Sequence, residues 1–178
     1  MKSVLISIQP YWVFLIIARL MGWNIPQEKT VEVRKDYPKA SDWDRVTHIY
    51  CSKNRKSFNR IPKEYQPFME KFLGKVIGEF VCDRLDATYP ILIPNTDEAL
   101  YTNEWVLGSK VEDTCLTLKD ISEYGKGKPL YGWHISDLKI YDKPKGLGEF
   151  FTRKVFINIY IDKQITRPPQ SWCYVEEL

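Results

Sequence analysis

A chain of 178 residues, 44% hydrophobic and 28% charged with a net charge of +3, suits one folded domain with a sizeable core, although its length also accommodates two small ones. That balance excludes a disordered tail, and the mild positive charge permits a polyanionic partner without requiring one. Cys51, Cys82, Cys115 and Cys173 stand singly, as do His48 and His134, and no paired-ligand spacing joins them, so neither a metal nor another cofactor is expected. Thiols scattered in this way point to reduced, buried cysteines in the cytoplasm.

In chain order, Val4–Ile8 suits a buried strand, and Pro10 fits the first turn of a helix running to about Met21, where Gly22 can end it. The apolar run 11–20 is too short to span a bilayer and contains Arg19, so it reads as a buried helix and no membrane is expected. Thr30–Lys35 alternates, with Val31 and Val33 on one side and Glu32 and Arg34 on the other. A turn-rich stretch, Asp36–Asp44, leads to a strand at Val46–Cys51 and then to the basic loop Lys53–Lys63. Tyr65, Phe68, Met69 and Phe72 recur at helical spacing, and Lys75–Asp83 reads as a strand. Tyr89–Asp113 is the least regular region and reads as an elaboration on the main fold. Thr117 and Asp120 form a capping-box pattern opening a helix that ends at Gly125. Strands follow at Leu130–Tyr141, Lys154–Ile161 and Ser171–Val175, separated by Pro- and Gly-rich turns.

Residues two apart on a strand share a face at roughly 6.5–7 Å, so Glu32 and Arg34 stand side by side, with Lys29 at the strand entrance. A carboxylate between two cations can accept from a base amino group while the cations meet phosphate or carbonyl oxygens. The same residues also read as an ion pair on an exposed sheet face. Within the basic loop, Lys53, Arg55, Lys56, Arg60 and Lys63 occur with no acidic residue, enough to neutralise several phosphates or simply to form a solvated loop. A base also needs a ring to stack on, for which Trp133, Trp172 and Tyr174 are candidates; each also reads as packing inside a barrel, Trp133 above all. Ser52, Ser171 and His134 are further candidates by position, His134 lying on the opposite strand face to Trp133.

The opening strand and helix followed by Lys29-Thr30-Val31-Glu32-Val33-Arg34-Lys35 resemble the ASCH domain family, whose signature is G-x-K-x-x-E-x-R after the first helix. Gln27 stands where the signature has Gly, and the helix-to-strand connection is longer. His48–Ser52, Val76–Phe80, and Tyr131–Ile135 followed by Lys143-Pro144 are similar to later family segments, so the resemblance covers most of the chain apart from 89–113.

The resemblance implies an α+β fold: a single domain over 1–178 built as a small, mostly antiparallel PUA-like β-barrel with flanking helices. It implies a cleft beside the signature strand that recognises RNA or a modified nucleotide, with DNA as an alternative partner. Some relatives are amidohydrolases of acylated cytidine that use a Lys and a Thr nucleophile on this strand and a distant Glu. Lys29 matches that Lys, but Glu32 occupies the Thr position and a carboxylate does not replace the hydroxyl, so a binding module is expected. Two alternatives remain. One is an enzyme acting on RNA, in which Lys29 stabilises a pentacovalent phosphate and Glu32 or His134 acts as base; the other is a protein-interaction scaffold.

Overall fold

Val4, Leu5, Ile6 and Ile8 are almost wholly buried, which is how an apolar run this short becomes a central strand. The computed structural model describes residues 3–38, 46–94, 96, 99–156 and 159–177, with the side chains of 154–160 left aside. The elements run β1 (Ser3–Ile8), α1 (Pro10–Ile17), β2 (Val31–Arg34), β3 (Val46–Cys51), α2 (Arg55–Phe58), α3 (Gln66–Glu70), β4 (Lys75–Val81), β5 (Leu85–Thr88), β6 (Ile91–Leu92), β7 (Ala99–Leu100), α4 (Leu118–Gly125), β8 (Leu130–His134), β9 (Ser136–Lys145), β10 (Phe150–Phe156), β11 (Ile159–Gln164) and β12 (Trp172–Glu177). The fold is α+β, and the chain groups into two units interleaved in sequence.

The first unit holds Met1–Trp23, Arg45–Val81 and Asp137–Leu178. Its seven-stranded sheet has the order β11-β10-β12-β1-β3-β4-β9. The sheet is mixed: β1 and β3 pair in parallel, while β1–β12, β3–β4, β10–β11 and β10–β12 are antiparallel. No pairing closes it into a barrel among the described residues. Gly78 in β4 is required by close approach, since a Cβ there would lie 2.2 Å from the Lys139 carbonyl oxygen of β9. Pro10 opens α1 as expected, and the chain turns at Gly22 (φ +65°), with Gly22 N donating to Arg19 O and Trp23 N to Ala18 O. That is a Schellman closure, which explains why the helical pattern reads on to Met21 although regular helix stops at Ile17. Among the described residues no helix is long and apolar enough to cross a membrane.

The second unit holds Asn24–Asp44 and Cys82–Ser136. A three-stranded antiparallel sheet, β2-β8-β5, is its frame, with β6 and β7 forming a small hairpin. The 89–113 region supplies Tyr101, Trp105 and Val111 to a core with Val33, Ile121 and Leu130. Gly132 admits this packing, because a Cβ there would meet Trp105 at 2.7 Å. Thr117 caps α4 with the predicted reciprocal box: its Oγ accepts from Asp120 N at 3.1 Å, and Asp120 Oδ2 accepts from Thr117 N at 2.8 Å.

Two expected strands divide. Leu130–Tyr141 becomes β8 and β9 in different sheets, because Ile135 N bonds to Thr30 O and Asp137 adopts φ +47°. Lys154–Ile161 straddles the antiparallel β10–β11 pair, and its residues 157–158 lie outside the described residues. The 39–44 part of the expected turn after Asp36 also lies outside them.

Candidate functional site

In the second unit Lys29, Glu32 and Arg34 do come together. Lys29 Nζ donates to Val31 O (2.9 Å) and Thr114 O (2.7 Å) and lies 3.3 Å from Glu32 Oε2. Glu32 Oε1 accepts from Arg34 Nη1 at 2.7 Å. Arg34 in turn hydrogen-bonds the Tyr124 hydroxyl, whose ring also carries the Lys35 ammonium 4.8 Å from its centroid. The expected open cleft is absent at these two residues: Lys29 is 4% and Glu32 3% exposed. Two hydrogen bonds to backbone carbonyls and an ion pair to Glu32 hold the ammonium, so Lys29 acts as a clasp between β2 and the 111–114 turn. Burial pulls the Lys29 pKa below the ordinary lysine value, and Glu32 opposes that pull. Glu32 therefore serves two neighbouring cations.

His134, on β8 of the same unit, is half-buried and places Nδ1 2.6 Å from Asp83 Oδ1. Burial works against the Asp83 carboxylate, but the His134 hydrogen bond together with a backbone hydrogen bond and the nearby Arg84 charge outweighs it, and the Asp83 pKa lies below the usual range. Trp133 is core at 1% exposure, its Nε1 donating to Asp36 O at 3.3 Å. Of the two readings open to Trp133, stacking and packing, its burial fits packing.

The remaining candidates lie in the first unit. The basic segment is not a plain loop: Asn54 Oδ1 accepts from Ser57 N and caps α2. Arg55 is spent on a two-pronged pair with Glu70, at 2.8 and 2.7 Å. Lys53, Lys56 and Lys63 are exposed, the Lys53 stem running over Gly74. Arg60 is exposed, with its guanidinium 3.9 Å from the Tyr11 ring centroid and 4.9 Å from that of Trp12. Both rings are half-buried. Ser52 bonds through its backbone to Ile8 O, and its buried Oγ has no partner among the described residues. Ser171 accepts from Ser7 N through its carbonyl, and Trp172 is half-buried and edge-on to Tyr174 at 5.3 Å.

Sequence reasoning missed two groupings. Asp83 as the partner of His134 depends on β5 and β8 register across 51 residues. A partly buried chain also runs through neighbouring strands of the first unit: Ser3 Oγ lies 3.0 Å from His48 Nε2, His48 Nδ1 2.8 Å from Tyr141 Oη, and Tyr141 donates to Glu79 at 2.8 Å. The direct pairing of His48 with Glu79 was the only local signal, and Tyr141 arrives from a distant segment. The four cysteines are free thiols, and burial pushes Cys51 to about 12 and Cys115 and Cys173 to about 11. These three are poor nucleophiles as placed. No group of three metal-ligating side chains occurs among the described residues.

The class that the fold and site define is an α+β protein with a buried charge clasp in one unit and an exposed basic–aromatic strip in the other. No protein-family model matches the chain, and no curated protein matches it either.

Proposed function

We propose that the chain is a cytoplasmic nucleic-acid-binding module of ASCH type that takes RNA along the strip from Lys53 to Lys63, with DNA as the alternative polyanion. The observation that carries this reading is Arg60 lying over Tyr11 and Trp12 beside the exposed Lys53, Lys56 and Lys63. Lysines that face solvent can release counterions to a phosphate backbone, and a ring-backed guanidinium suits both phosphate and base. Lys29, by contrast, keeps its donors on its own chain, so the signature strand contributes architecture, with Arg34 half-exposed and Lys35 exposed at its end. A PUA-like barrel belongs to the same proposal, and amide-to-amide NOEs between β11 and β9 would support it.

Photo-crosslinking to a uridine-rich single-stranded RNA tests the binding face. Adducts should map to the peptides bearing Tyr11 and Trp12 and to 53–63. Adducts confined to the peptides around 29–34 would restore the signature strand as the reader and count against the strip.

A further inference from the structure

We infer that Asp83 and His134 form a general-base dyad that can cleave RNA, an activity that rests on the nucleic-acid reading above. The two side chains lie 2.6 Å apart, with 30% of His134 and 47% of Asp83 exposed, so the pair is open to a ligand. A carboxylate on Nδ1 fixes the imidazole tautomer: Nδ1 carries the proton, and Nε2 presents its lone pair. Among the described residues no hydrogen bond engages Nε2. This is the polarity that a base needs, and it is the opposite of His48, whose two ring nitrogens are both engaged by hydroxyls, those of Ser3 and Tyr141.

Arg84 supplies the neighbouring cation. It follows Asp83 directly, and its carbonyl accepts from His134 N at 3.0 Å, making it the cross-strand neighbour of His134. The Arg84 side chain is exposed, with one guanidinium nitrogen 3.5 Å from Ser109 Oγ. Acid, base and cation therefore occupy one end of the β5–β8 pair.

The chemistry that this set can perform without a metal is transesterification at a ribose. His134 Nε2 takes the proton of a 2′-hydroxyl while its oxygen attacks the adjacent phosphorus. The P–O5′ bond breaks, a 2′,3′-cyclic phosphate forms, and the departing 5′-oxygen takes a proton from water. The imidazolium then returns its proton to solvent, so protons balance and no redox partner enters. Arg84 offsets charge on the phosphoryl oxygens. DNA lacks the nucleophile and is not cut.

The test incubates the full chain with end-labelled RNA, the same sequence as DNA, and RNA carrying a single 2′-deoxy position, all in chelator. RNA should yield cyclic-phosphate ends, with no cut at the deoxy position. His134→Ala and Asp83→Asn should each lower the rate by about 10²–10⁴-fold, the range of general-base catalysis, with unchanged melting temperature. Added imidazole should restore part of the His134→Ala rate, which a purely structural role would not allow. Should His134→Ala melt early, Asp83→Asn and Arg84→Ala carry the comparison. RNA bound but uncut, or cut equally by all variants, overturns the dyad while leaving the binding module standing. RNA neither bound nor cut overturns both.

Discussion

Replacing Glu32 by Gln isolates the buried clasp, because it keeps the side-chain shape and removes the charge that two cations share. At 3.3 Å from Lys29 and 2.7 Å from Arg34, the Coulomb terms at an effective dielectric of about 20 are about 5 and 6 kcal/mol before desolvation. Breaking a buried pair from one side costs about 3–5 kcal/mol net, since the stranded ammonium stays desolvated. For a chain of this size each kcal/mol moves the midpoint by about 2–4 °C, so Glu32→Gln should melt about 6–20 °C early. Calorimetry and urea melts on the wild type, Lys29→Met, Glu32→Gln and the double variant give the coupling. It should approach about 2 kcal/mol, in the upper part of the range for side chains in contact. A shift under about 1 kcal/mol with no coupling would mean a hydrated carboxylate and an accessible cleft.

Other measurements bear on other parts of the molecule. Burial lowers the His48 pKa below its ordinary 6.5, so on acidification the unfolded chain binds the proton first. Stability should be complete above pH 6.5 and fall as pH drops towards the lower folded pKa, a slope that His48→Gln should remove in urea melts. Thr117→Ala should cost about 1 kcal/mol by losing the cap of α4, read from thermal melts. Asp86 accepts from the amides of Ala87, Leu107 and Ser109 at 2.7, 2.7 and 2.8 Å. Asp86→Ala should therefore speed hydrogen exchange at Leu107 and Ser109, each lost charge-assisted bond being worth about 1.5–3 kcal/mol.

Local patterns were legible where one segment carries the whole signal. Pro10 and Gly22 bound a helical run, Thr117 and Asp120 form a box three residues apart, and β1, β3 and β4 are dense in β-branched and aromatic residues. The co-location of Lys29, Glu32 and Arg34 followed from strand spacing, but their burial did not. The 111–114 turn that covers Lys29 lies 85 residues away, and no local pattern announces it. The same limit hid the break in the 130–141 run, where an alternating pattern continues across a residue with φ +47°. Arg55 reads as a phosphate ligand from its own segment, but Glu70 holds it, whereas Arg60 gains its backing from rings some fifty residues earlier.

The dependence of RNA affinity on salt tests the central claim most directly. Single-strand binding loses about 0.7 in the slope of log K against log salt for each phosphate contact, so reversing Lys53, Lys56 and Lys63 to Glu should reduce that slope by about 2. Reversing Lys163, exposed on β11, should leave it unchanged. Wild-type binding that ignores salt, or a triple variant that binds as tightly as the parent, would contradict the basic strip as the nucleic-acid face.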